Sequence, residues 1–95
     1  MQENGKSKIR VVIADDNREY VEVLCNFLKQ KPQIEIVGYA YDGLEAINQV
    51  RMTSPDVLIL DMVMPNLDGF GVLERLKNVR LNKIPKVLVV SAVLN

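Results

Sequence analysis

The tightest constraint on this chain is the run Val57-Leu58-Ile59-Leu60, which ends on Asp61. Consecutive apolar residues without polar alternation need cover on both faces, as in the centre of a parallel sheet flanked by helices. Asp61 then falls at the carboxyl end of that strand. Ligands of open α/β sheets bind just outside those ends, so an acid there faces a crevice rather than the core. Met64-Pro65 and Asp68-Gly69 follow. Pro65 disfavours helix at Met64, and Asp68-Gly69 signals a turn, so the chain must loop over the strand end before a helix begins. The pattern alone leaves both a helix cap and a chemical role open for Asp61.

The rest of the chain builds around that strand. Residues 1–8 are polar and read as a flexible tail, leaving one domain over 9–95. Ile9 to Ala14 reads as a first strand, running into Asp15-Asp16-Asn17, residue types that cap helices. Val21, Leu24, Cys25 and Leu28 recur at helical spacing, with Tyr20 and Phe27 on a neighbouring stripe and Pro32 past the end. Ile34 to Ala40 is rich in β-branched residues but less apolar, which predicts a second strand nearer a sheet edge. Asp42 and Glu45 form a D-x-x-E helix start, and Gly43, Ala46, Ile47 and Val50 give that helix a small-residue face before Ser54-Pro55 stops it. Phe70, Leu73 and Leu76 mark a third helix, and Lys86 to Val90 a fourth strand. Strands separated by helices of about a dozen residues call for right-handed crossovers and a parallel sheet.

Composition narrows the chemistry. Twelve basic and twelve acidic side chains cancel in 95 residues, so nothing favours direct binding to nucleic acid or an acidic membrane surface. No apolar run approaches the ~20 residues that span a bilayer, and the polar start is no export signal, so the cytoplasm is expected. Cys25 is the single cysteine and sits in an apolar stripe, as a small buried hydrophobe would. Histidine is absent, which excludes His general bases, Ser-His triads and His-ligated metals from this chain. A metal here must take oxygen ligands.

Strands end on polar groups in one sense: Asp15 and Asp16 after the first, Asp61 after the third, Ser91 after the fourth. In a parallel sheet these ends share an edge, and capping alone explains such convergence poorly. Clustered carboxylates repel one another unless a cation neutralises them, and hard oxygen donors suit Mg²⁺ (or Mn²⁺). A carboxylate beside such an ion can act as a nucleophile, so Asp61 is positioned to attack a phosphoryl group in line and form an aspartyl phosphate. A haloacid-dehalogenase-type phosphatase also uses a strand-end Asp, but it wants a second Asp where this chain has Val63. No GxGxxG or GxxxxGK[ST] loop is present, so nucleotide binding has little support.

At these residues the chain resembles the receiver domain of two-component response regulators, a doubly wound parallel sheet of strand order 2-1-3-4-5. The resemblance runs from about Ile9 to Asn95. VVIADDNREYVEVL and PDVLILDMVMPNLDGFGVLERL look most like the receivers of sporulation regulators in endospore-forming bacteria. It implies that Asp61 is the phosphoacceptor, that Asp15 and Asp16 hold Mg²⁺, that Val63 supplies a backbone carbonyl ligand, and that Ser91 is the switch hydroxyl. The implied partner is a histidine kinase or a histidine-containing phosphotransfer protein, and the implied output is transcriptional. Such a domain accepts a phosphoryl group rather than acting as an enzyme on a separate substrate. The family's fifth strand with its Lys, its last two helices and any DNA-binding domain have no counterpart in these 95 residues. An interaction fragment that keeps the acids without the chemistry is the alternative of another class. If 95 residues is the true length, the fourth strand is expected to present Val87, Leu88, Val89 and Val90 at an open edge, which favours a homodimer or domain swap.

Overall fold

A computed structural model describes residues 8–90. The elements alternate: β1 (Ile9–Ala14), α1 (Arg18–Lys29), β2 (Ile34–Ala40), α2 (Gly43–Thr53), β3 (Val57–Asp61), α3 (Gly69–Asn78) and β4 (Lys86–Val90). All strand pairs are parallel, in the order β2-β1-β3-β4. This matches the expected doubly wound order, and among the described residues there is no fifth strand. The less apolar β2 does lie at an edge.

Each face of the sheet carries its own core. Val12, Ala14, Leu58 and Leu60 point to the side of α2 and α3, where they meet Ala46, Ile47, Val50 and Val72. Val11 and Ile13 point to the other side and meet Val21 and Cys25 of α1. Successive residues of β1 and β3 thus serve opposite faces, which is why their apolar runs are unbroken. Leu58 and Leu60 are fully buried, and truncating either to Ala would cost about 2–5 kcal/mol.

In β2, Ile36 pairs with Val11 but Gly38 pairs with Val12, so Val37 bulges out of the ladder. A one-residue slip exchanges faces. Ile34 and Ile36 therefore pack on the α1 side, whereas Ala40 joins the α2 side. In α3 the fully buried residue is Val72, while Phe70 is 70% exposed. The Asp68 side chain caps the helix from Gly71 N–H, so α3 starts at Gly69 and turns Phe70 outward while Leu73 and Leu76 still pack on the core. Within β4, Val87 packs against α3's core, but Leu88 and Val89 are 55% and 45% exposed.

The strand ends opposite Asp61 are tied by Asp56. Its Oδ2 accepts from Arg10 N–H at 2.7 Å and its Oδ1 from the Lys83 ammonium. Its backbone carbonyl takes the Lys86 N–H at 2.9 Å, so this residue holds the starts of β1, β3 and β4 together. The Lys83 ammonium, then the Arg10 N–H, keep its carboxyl below the ordinary Asp range. A depressed carboxyl stabilises the fold above the unfolded value of ~3.9 and loses that contribution as pH falls below it. Asp56→Asn should therefore melt lower than the parent at pH 7, with the gap closing in acid below pH ~4; circular dichroism melts at both pH values check this.

Candidate functional site

The sheet register assembles the acids. Ala14 pairs with Leu60 across β1 and β3, so the next residues, Asp15 and Asp61, leave the sheet side by side. Asp15 is held from two sides: its N–H donates to the Ala40 carbonyl at 3.0 Å and its Oδ1 accepts from Asn17 N–H at 2.9 Å. Asn17, rather than either Asp, caps α1, accepting from Tyr20 N–H at 3.0 Å. That leaves both acids without a capping duty. One carboxylate oxygen from each of Asp15, Asp16 and Asp61 lies within 4.8 Å of the others.

Charge is concentrated there at a cost. Burial raises the Asp15 carboxyl above its usual range; the Asn17 N–H opposes this, and the Asp61 and Asp16 charges add to the rise. Oxygen donors this close, with one acid already resisting ionisation, suit a hard divalent cation that would neutralise them. The residues present therefore fit Mg²⁺ or a similar ion.

The loop after Asp61 is shaped as tightly as the strand before it. Val63 N–H reaches Asp61 Oδ1 at 3.3 Å, a long bond that faces the carboxylate toward the loop, and the Val63 side chain is 75% exposed. Met64 turns inward and is buried in the α2–α3 core. Gly69 N–H returns to the Met62 carbonyl at 3.0 Å. A Cβ at Gly69 would stand 2.6 Å from Met62 Cα and 2.8 Å from the Asp61 carbonyl, so only glycine lets α3 start this close to the site.

Of the residues expected at the site, Asp15, Asp16 and Asp61 converge and Val63 lies beside Asp61. Ser91 follows Val90, the register partner of Asp61, and lies outside the described residues, as does nearly all of the expected tail. Two contributors carried no local signal beyond ordinary turn and cap chemistry. Asn66 adopts a left-handed φ of 68°, and its side-chain amide donates to Asp42 Oδ2 at 2.9 Å, 24 positions away.

The family model for the response regulator receiver domain matches residues 11–95. The signal receiver domain of the putative response regulator NarL from Mycobacterium tuberculosis superposes with a TM-score of 0.85 at 32% identity, covering 95% of this chain and 71% of that one. The response regulator domain of Thermotoga maritima CheB gives 0.79 at 36% identity, covering 88% of this chain and 60% of that one. A Borrelia burgdorferi chain from a CheX-CheY-BeF3-Mg²⁺ complex gives 0.80 at 27% identity, covering 92% and 64%. Against the last two, this chain spans less than two thirds of the partner's length. No helix among the described residues is long and apolar enough to cross a membrane.

Because the raised Asp15 carboxyl makes its charge unfavourable in the fold, that cost is present at neutral pH and vanishes as pH falls through the raised value toward the unfolded one. Asp15→Asn, which keeps an acceptor for Asn17 N–H, should melt above the parent at pH 7 in chelator, with the advantage gone below pH ~4. Thermal melts at the two pH values decide it, and a variant less stable at pH 7 would contradict the assignment.

Proposed function

We propose, from the premise that this chain belongs to the response regulator receiver domain family, that Asp61 accepts a phosphoryl group from a phosphohistidine donor. The observation that carries the reading is the register that puts Asp61 beside Asp15 and Asp16 at one end of a parallel sheet. An Asp61 carboxylate oxygen attacks phosphorus, an O–P bond forms, and the P–N bond to the donor imidazole breaks with its electron pair going to the leaving nitrogen. Asp15, Asp16 and Asp61 would hold the divalent ion, with the Val63 carbonyl as a further donor. When bound, the ion supplies positive charge to the transferring oxygens and offsets the repulsion among the acids. Val63 N–H orients the Asp61 carboxylate, and Ser91 acts as the switch hydroxyl that meets the phosphoryl group.

The proposed donor is a histidine kinase or a histidine-containing phosphotransfer protein, and the proposed setting is a cytoplasmic regulator whose output is transcriptional. The motifs VVIADDNREYVEVL and PDVLILDMVMPNLDGFGVLERL support a sporulation-type regulator within that setting. Incubated with Mg²⁺ and either a small-molecule phosphodonor or the phosphorylated transfer protein of a sporulation phosphorelay, the protein should gain one phosphate by intact mass. Asp61→Asn should abolish the label. A phosphate mapped to any other residue overturns the assignment, and transfer no faster from the sporulation donor than from an unrelated histidine kinase removes the finer setting.

Pairing of two chains through β4 is the proposed mode of self-association. Its support is the exposure of Leu88 and Val89 at the outer strand, beside an apolar groove of about 770 Å³ lined by Leu76, Leu81, Ile84 and Val87. Backbone groups unpaired among the described residues, flanked by the exposed apolar side chains of Leu88 and Val89, favour strand addition. Light scattering on the 95-residue protein should show dimers that Val89→Lys disperses; a soluble monomer at high concentration contradicts the mode.

A further inference from the structure

The Asp42 carboxylate serves two elements at once. Its Oδ1 accepts from Glu45 N–H at 2.8 Å, capping α2, and its Oδ2 accepts from the Asn66 amide at 2.9 Å. The Glu45 N–H, and to a lesser degree the Asn66 amide, hold Asp42 ionised below the usual carboxyl range. Asn66 stands at the tip of the loop that begins at Asp61. There, Leu67 N–H donates to the Pro65 carbonyl at 2.7 Å across it, and its φ is 68°. A two-residue reach closed around a positive φ is a turn of γ type, rare and strained, and it persists only where the surroundings hold it. The surroundings here are the N-terminus of α2. Gly43 leaves the space that the Leu67 carbonyl occupies, so a side chain at 43 would push the loop away, and Asp42 grips Asn66 from the adjoining residue.

We propose that Asp42 is a positioning residue for Asp61, acting through Asn66 to keep the loop in the shape that brings Val63 N–H to the Asp61 carboxylate. The proposal rests on the phosphoacceptor reading of Asp61. It makes the β2–α2 connection part of the phosphorylation machinery, although Asp42 touches neither the phosphoryl group nor the ion.

The hydrogen bond can be broken and rebuilt with its polarity reversed. Asp42→Ser keeps an oxygen for Glu45 N–H but leaves no second oxygen for the Asn66 amide. Asn66→Asp sets two carboxylates against each other, while Asp tolerates the left-handed φ nearly as well as Asn. Asp42→Asn added to Asn66→Asp restores one donor and one acceptor. Leu67 amide exchange by NMR reports the loop, and the initial rate of labelling by acetyl phosphate with Mg²⁺ reports Asp61. Each single variant should speed Leu67 exchange and slow labelling by about fivefold, the factor one hydrogen bond of ordinary strength is worth, and the pair should recover both. Melting temperatures measured in parallel separate the roles, since a merely structural Asp42 would lower them without moving the labelling rate of the folded protein. Singles that exchange and label like the parent overturn the proposal, as does slow labelling that the pair leaves unrestored. A parent that takes no label at all overturns the phosphoacceptor reading instead and the positioning role with it, whereas a parent that labels beside equally fast singles overturns the positioning role alone.

Discussion

Mutual repulsion of carboxylates at one end of a parallel sheet is the constraint on which the rest of the structure depends. Asp15, Asp16 and Asp61 bring oxygens within 4.8 Å of each other, an arrangement that a protein tolerates only when the scaffold beneath is strong enough to hold it. The strength lies in β1 and β3. Their side chains fill both cores, with Val12, Ile13, Ala14, Leu58 and Leu60 essentially inaccessible to solvent. Neither strand can slide without moving its apolar residues to the wrong face. Packing thus sets the register, and the register sets the distance between the acids.

The connection from Asp61 to α3 carries the same logic outward. Met64 enters the core from a loop, Gly69 lets the helix start against the backbone of Asp61 and Met62, and Asn66 holds a strained turn against α2. Each contact fixes a few atoms, and together they leave the carboxylate edge as the place where charge and solvent meet. The opposite end of the sheet is closed by Asp56, which accepts from the Arg10 backbone N–H and pairs with the Lys83 ammonium, while the Arg10 guanidinium donates to the Thr53 and Ser54 carbonyls. Among the described residues, the acid at that end has a cationic partner and the three at the other end have none. The cation site proposed for the carboxyl edge rests on that asymmetry.

Much of this was legible in the residues because the signals are short-range and strong. Val57 to Leu60 has no polar alternation, which requires two covered faces, and the polar residues that end the strands then fall on one edge by topology alone. The alternation of helix and strand follows from periodicity, and Asp42 with Glu45 marks the start of α2. What was not legible depends on contacts between distant positions or on choices that local chemistry leaves degenerate. Nothing in β2 announces the bulge at Val37, since Ile34, Ile36, Gly38 and Ala40 alternate well enough for a flat strand. Phe70 and Val72 both suit an amphipathic helix, and only the cap at Asp68 decides which faces inward. The links from Asp42 to Asn66 and from Asp56 to Lys83 join residues 24 and 27 positions apart, a range at which sequence pattern carries no geometry.

The proposed phosphoryl transfer needs these acids to form one cation site at the carboxyl edge of the sheet. Titration with Mn²⁺, followed by paramagnetic broadening of backbone amide resonances, tests it most directly, since broadening falls off steeply with distance from the bound ion. With a site at that edge, the amides of Asp15, Asp16, Asp61 and Val63 broaden first and excess Mg²⁺ reverses the effect. Broadening centred elsewhere, around Asp56 or Asp68 for example, or spread evenly over the acidic side chains, would contradict it.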